Sequence, residues 1–135
     1  MKKLLYFIIA LLLIAIIGYF IVMNLPKASV KNKDAAFTIS AVDLYSAFGT
    51  NENQANQKYL GKTIAVDGII TDIDTDKNGS DVLFLKSNND MNGILCTLEP
   101  GQNGDFKINQ PIKLKGMCTG FLQDVVLNKC VIIKE

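Results

Sequence analysis

The spacing of apolar residues changes several times along the chain, and each change marks a different kind of element. Residues 4–23, LLYFIIALLLIAIIGYFIVM, are twenty positions without a charge. A helix rising about 1.5 Å per residue covers roughly 30 Å over that length, the hydrocarbon thickness of a bilayer. This predicts one transmembrane helix, with residues 1–23 forming tail and anchor. A cleaved signal sequence would carry a shorter apolar run, about 7–15 residues, ending at an A-x-A-like site. Here only Ala28 or Ser29 offers a weak match, and the first cysteine that could take a lipid is Cys96. Residues 24–37 are polar, contain Pro26 and show no period, so they read as a tether.

From residue 38 to 135 the pattern is that of one domain. Ser40 and Asp43 fit a helix-capping box, with Ile39 and Leu44 placed as a hydrophobic staple. Leu44, Phe48, Ala55 and Tyr59 then fall on one helical face, and Gly61 is placed to end the helix. Gly49-Thr50 is its weak point, because an interior glycine costs roughly 1 kcal/mol against alanine.

Beyond Gly61 the period drops to two. Residues 62–74, 80–87 and 93–99 read as three strands, the first pair joined by a turn at Asn78-Gly79. A fourth follows residues 100–110, with Ile112, Leu114, Gly116 and Cys118 on its buried face, and residues 124–133 make a fifth. Five strands with the longest first, and Gly68 and Gly116 where a strand could coil sharply, predict a mainly β domain. The expected form is a five-stranded Greek-key barrel of the OB type, preceded by one α-helix and the transmembrane helix.

Charge alters this picture once the anchor is set aside. The whole chain is +1, but residues 36–135 hold nine lysines against twelve Asp and Glu, a net −3, and the chain has no arginine or histidine. A mildly acidic, lysine-only domain offers no electrostatic footprint for polyanions, so nucleic acid is disfavoured as a partner. Lysines flank the apolar run on both sides (Lys2, Lys3; Lys27, Lys31, Lys33), so counting them does not orient it. The two-lysine tail ahead of it has the form of a signal-anchor. That places the N-terminus in the cytoplasm and the domain on the extracytoplasmic side of the inner membrane.

Candidate chemistry is sparse. Without histidine no Ser-His, Cys-His or His-metal site can be built, no phosphate-binding glycine loop is present, and no catalytic residue, cofactor or metal is expected. Asp74-x-Asp76-x-Asn78-Gly79 matches the first half of a calcium loop, but Leu85 stands where a bidentate glutamate belongs. It reads as a solvated hairpin turn. Cys96, Cys118 and Cys130 allow one disulfide and one orphan. A tight hairpin of the last two strands would set Cys118 opposite about residue 125 and leave Cys130 roughly 16 Å further along. A bridge from Cys96 to a neighbouring strand and three buried thiols both remain open.

The runs Leu44-Tyr45-x-x-Phe48, Asn51-Glu52-x-x-Ala55-x-x-x-Tyr59-x-Gly61-Lys62 and Ile64-x-Val66-x-Gly68-x-Ile70 carry a resemblance. So do Leu95-Cys96-Thr97-Leu98, Lys115-Gly116-x-Cys118-Thr119-Gly120 and Asp124-Val125-Val126-Leu127-x-x-Cys130-Val131-Ile132. Together they resemble the tRNA-anti-like family of OB-fold envelope domains, over residues 39–133. Gly49 departs from the pattern, where a helix former is expected. The resemblance implies a fold and no residue roles. OB domains bind ligands on the face of their second and third strands, and Phe84, Phe121 and Leu122 are the apolar residues nearest to it. The expectation is a non-enzymatic, membrane-anchored binding module for a protein or envelope component, with nucleic-acid binding as the alternative.

Overall fold

The computed structural model describes residues 2–24, 29–102 and 104–134. Helix α1 (Lys2–Asn24) is 23 residues long and holds an 18-residue stretch with a mean hydropathy of 2.9, long and apolar enough to cross a membrane, and none of its side chains is buried. Residues 25–28 of the expected tether, with the weak cleavage point at Ala28, lie outside the described residues. Residues 29–36 are a strap fastened to the domain. Ser29 Oγ donates to Glu99 Oε2 at 2.8 Å and Val30 N–H to Glu99 Oε1 at 3.2 Å. Lys115 Nζ donates to the carbonyls of Lys31 and Lys33 at 3.0 and 2.8 Å, and Ala36 N–H to Thr63 O at 2.8 Å.

The strap leads into β1 (Phe37–Ser40), which pairs in parallel with β2 (Thr63–Thr75), from Phe37↔Ile64 to Ser40↔Asp67. No strand is expected there from sequence, since four residues carry no period and a parallel partner over twenty residues away leaves no local signal. Ser40 then caps α2 (Ala41–Thr50), its Oγ accepting from Asp43 N–H at 3.1 Å. The reciprocal bond runs from the Ser40 hydroxyl to Asp43 Oδ2, at 2.8 Å, in place of the usual bond from the cap's N–H.

The single expected helix is two. Asn51, extended at φ −153°, closes α2 with its N–H on Ala47 O. Its side chain opens α3 (Glu52–Tyr59) by accepting from Gln54 N–H at 3.1 Å. An asparagine that caps in both directions supersedes Gly49 as the cause of the break. The shared face survives it: Leu44, Phe48, Ala55 and Tyr59 are all buried. Gly61, at φ +74°, turns the chain out of the helix as expected.

The five remaining strands are β2, β3 (Asp81–Lys86), β4 (Gly93–Leu98), β5 (Pro111–Phe121) and β6 (Val125–Ile132). They run in the order β2-β3-β4-β6-β5, and β5 closes back on β2 to make the barrel. The length of β2 makes closure possible: Thr63–Ile69 pair with β5, and Ile70 and Asp72–Thr75 with β3. Gly68 stands at this change of partner. A Cβ there would lie 2.9 Å from Ala41 Cβ and 3.3 Å from Leu85, so the missing side chain lets α2 close on the barrel. Strands β4 and β6 are parallel, the crossover that a Greek-key barrel requires. Ile64, Val66, Leu83, Leu85, Ile94 and Leu114 fill the interior.

Candidate functional site

Residues paired across neighbouring strands project to the same side, so the register assigns each side chain to the inside or the outside of the barrel. Asp72 pairs with Phe84, Phe84 with Leu95, and Leu95 with Val126. Their strand neighbours Leu83, Leu85, Ile94, Cys96, Val125 and Leu127 are core, which puts this row on the outer surface. Phe84, Leu95 and Val126 are half-buried there, and Leu122, in the β5–β6 turn beside them, is 88% exposed.

Two hollows run along the row and share Asp124. One, of about 470 Å³, lies against Phe84 and the β3–β4 loop, with the carboxylates of Asp72, Asp90 and Asp124 on its walls and Lys86 as its lysine. The other, of about 540 Å³, lies over Leu95, Val126 and Leu122. The β3–β4 loop is set by its own side chains. Ser87 Oγ accepts from Asn89 N–H at 2.9 Å and donates to Asn92 O, and Asn89 Oδ1 accepts from Met91 N–H at 2.9 Å. Asn88 ties the loop to α2 through Ser46 Oγ at 3.0 Å, and Asp124 Oδ1 ties it to the β5–β6 turn through Gly93 N–H at 2.7 Å. Met91 stands out of this hydrogen-bonded loop, 90% exposed. The face is therefore an acid-rimmed apolar strip open to solvent.

Of the three residues expected to meet a ligand, the structure brings Phe84 and Leu122 to this face and removes Phe121. Phe121 turns to α2, stacked on Phe48 at 5.5 Å and edge-on to Tyr45 at 5.9 Å. Irregular pairing of β5 with β6 between Cys118 and Gly120 breaks the strand alternation just before it. Leu95, Val126 and Asp124 were missed. The alternation in Gly93–Leu98 and Val125–Ile132 marks the first two as outward, but only the β4–β6 register makes them neighbours.

The same irregularities move the cysteines. Cys118 pairs with Leu127 where a tight hairpin would have set residue 125 opposite it. Cys96, Cys118 and Cys130 are buried free thiols, and burial pushes the Cys118 thiol up and the Cys130 thiol well up. The Asp74-to-Ser80 segment is a hairpin turn in which Asp76 Oδ1 accepts from Asn78 N–H at 2.8 Å and Ser80 N–H at 2.9 Å. The bond from Ser80, followed by those from Asn78, holds the Asp76 carboxyl below its ordinary range.

Among comparisons with known proteins, the model of the tRNA_anti-like family matches residues 1–132. The chain belongs to the tRNA_anti-like family. Comparison with curated proteins finds no match. Among solved structures, this family member is similar to a "putative nucleic acid-binding lipoprotein" from Klebsiella pneumoniae subsp. pneumoniae, with a TM-score of 0.58 and 17% identity, over 72% of this chain and 92% of that one. It is also similar to yeast Stn1 and Ten1, with a TM-score of 0.44 and 14% identity, over 79% of this chain and 67% of that one. The first of these likenesses supports the OB-type barrel derived from the strand order.

Proposed function

We propose that this tRNA_anti-like domain is a non-enzymatic binding module, anchored by α1 in the inner membrane with the barrel on the extracytoplasmic side. Its ligand is an extended segment of an envelope protein, laid along the outer face of β3, β4 and β6. The observation that carries the reading is the open apolar row Phe84–Leu95–Val126 with Leu122 beside it, on the part of an OB barrel where ligands sit. Asp72, Asp90 and Asp124 on the wall of the adjoining hollow favour a segment carrying lysine or arginine.

A second reading, nucleic-acid binding, takes its support from what the Klebsiella pneumoniae lipoprotein is described as binding. Charge weighs against it. Single strands are held by cationic grooves with stacked aromatics, and this groove places three carboxylates against one lysine. Labelled single-stranded DNA and RNA are expected to bind the full chain no tighter than about 10⁻⁴ M at physiological salt.

The test is a photo-crosslinking amino acid in place of Leu122 in the full-length protein, in intact membranes, with Val42 on α2 as control position. Discrete, protease-sensitive adducts from position 122 alone are expected, weakened by Leu95→Asp. Nuclease-sensitive adducts would promote the second reading. Equal labelling from both positions would remove the face from consideration.

A further inference from the structure

We propose that the turn joining α3 to β2, with the strap beside it, is a surface on which the barrel lies against the anionic phospholipids of its own membrane. The inference rests on the anchor proposed for α1. Leu60 closes α3 with its N–H on Asn56 O at 3.0 Å, and Gly61 N–H donates to Cys118 O at 2.8 Å, so the turn is fastened to β5. Leu60 is left 47% exposed. Lys58 and Lys62 flank it in sequence, and both ammonium groups come to the Phe37 ring, each 5.4 Å from its centroid. Lys58 Nζ also lies 5.1 Å from the centre of the Tyr59 ring. The strap adds charge to this place. Ala36 N–H bonds Thr63 O, next to Lys62, and three residues back Lys33 O accepts from Lys115 Nζ at 2.8 Å. Lys31 and Lys33 are exposed on it. Rings and carbonyls are neutral partners, so they leave the positive charge of Lys58, Lys62 and Lys115 in place.

Charge is sorted between the two sides of the barrel. Lys31, Lys33, Lys58, Lys62 and Lys115 stand beside the strap's own Asp34, and Glu99, where the strap begins, is taken up by Ser29 and Val30. Along β2, β3 and the loops that follow, Asp72, Asp74, Asp76, Asp81, Asp90 and Asp124 outnumber Lys77 and Lys86. An anionic surface attracts the first side and repels the second, which keeps the row Phe84–Leu95–Val126 open to the compartment. An exposed leucine among lysines suits the headgroup layer, where the apolar side chain enters the acyl boundary and the ammonium groups meet lipid phosphates. A nucleic acid would call for exposed rings to stack its bases. Here Tyr59 is buried and Phe37 is half-buried under the two lysines. The strap is fastened from Ser29, five residues after α1 ends, so the patch belongs to the side of the barrel from which the anchor leaves.

The experiment reconstitutes the full-length chain into vesicles of phosphatidylcholine alone or mixed with phosphatidylglycerol. An environment-sensitive fluorescent amino acid replaces Leu60 or, as control, Met91. With the acidic lipid, emission from position 60 is expected to shift to the blue and to be quenched by a quencher carried on lipid headgroups, while position 91 stays unchanged. High salt should reverse the shift. A lysine near an anionic surface changes partition about fivefold, so Lys58→Gln combined with Lys62→Gln should lower the docked-to-undocked ratio about 25-fold. Lys58→Arg with Lys62→Arg should retain it. Equal emission from position 60 in both lipids, or an equal response at position 91, would overturn the proposal. So would micromolar binding of labelled single-stranded DNA or RNA that the glutamine pair abolishes, which would assign the lysines to nucleic acid. Carbonate washing of the same vesicles separates the two readings. A chain that washes off refutes the anchor and this docking with it, whereas a chain that stays without a response at position 60 refutes the docking alone.

Discussion

The outer face of β2, β5 and β6 and the outer face of β3, β4 and β6 both carry apolar side chains, and they meet different fates. On the first, Ala65, Lys115 and Val131 form a row by register, and Ala65 and Val131 are 3% exposed although they lie outside the central core. The strap runs over this row, held by Lys115 in its middle, and Val30 of the strap is 0% exposed. On the second, Phe84, Leu95 and Val126 stay half-exposed beside a Leu122 that is 88% exposed. Apolar rows on the outside of a barrel call for a cover, because leaving them in water forgoes about 25 cal/mol for each Å². The chain supplies one cover from its own N-terminal side. The row it leaves bare is the one on which the proposed ligand would lie.

The sharpest way to break this contrast is a charge on each side. Val30→Asp puts an unpaired carboxylate under the strap and is expected to cost about 2–4 kcal/mol in urea unfolding of the detergent-solubilised protein. The matching Leu122→Asp should stay within about 0.5 kcal/mol of wild type. Equal losses would mean that the two faces are not treated differently. A milder change tests how the cover is fastened. Glu99→Ala removes the acceptor of both Ser29 Oγ and Val30 N–H and is expected to cost about 1 kcal/mol, with faster hydrogen exchange at Val30 and unchanged exchange in β3 and β4.

How far the sequence reached can be judged on particular residues. The five barrel strands follow from alternation, and the buried face Leu44–Phe48–Ala55–Tyr59 from the helical period, because both signals are local. The strap had no such signal. One valine among lysines, asparagine and serine looks like solvated linker until Glu99 and Lys115, some seventy and eighty residues away, are brought beside it. The face was half legible. Phe84 and Leu122 were found through the fold type, whereas Phe121 was misplaced because register irregularities around Thr119 break the alternation that would have assigned it.

The smallest expected effect concerns the turn that borders the strap, where Asn78 and Ser80 share a hollow with Ser29. The hydrogen bonds to Asp76 lower its carboxyl pKa in the folded state. A depressed carboxylate stabilises the fold at pH values above its unfolded pKa, about 3.9, and the benefit is lost as pH falls through the lower, folded value. Asp76→Asn should therefore melt slightly below wild type at pH 7, and the two curves should converge as the pH is taken well below 4. A difference that persists in acid would assign the turn's contribution to packing.

Helix α1 ends at Asn24 and the fastened strap begins at Ser29, so five peptide steps join the anchor to the barrel. At 3.3–3.6 Å per step they reach no more than about 18 Å. With α1 in a bilayer, as proposed, the barrel is moored close to the surface. It patrols a thin shell of the compartment. A ligand held in the same membrane would share that shell and be concentrated there relative to one free in the whole compartment, so a shallow strip of modest affinity would suffice for it.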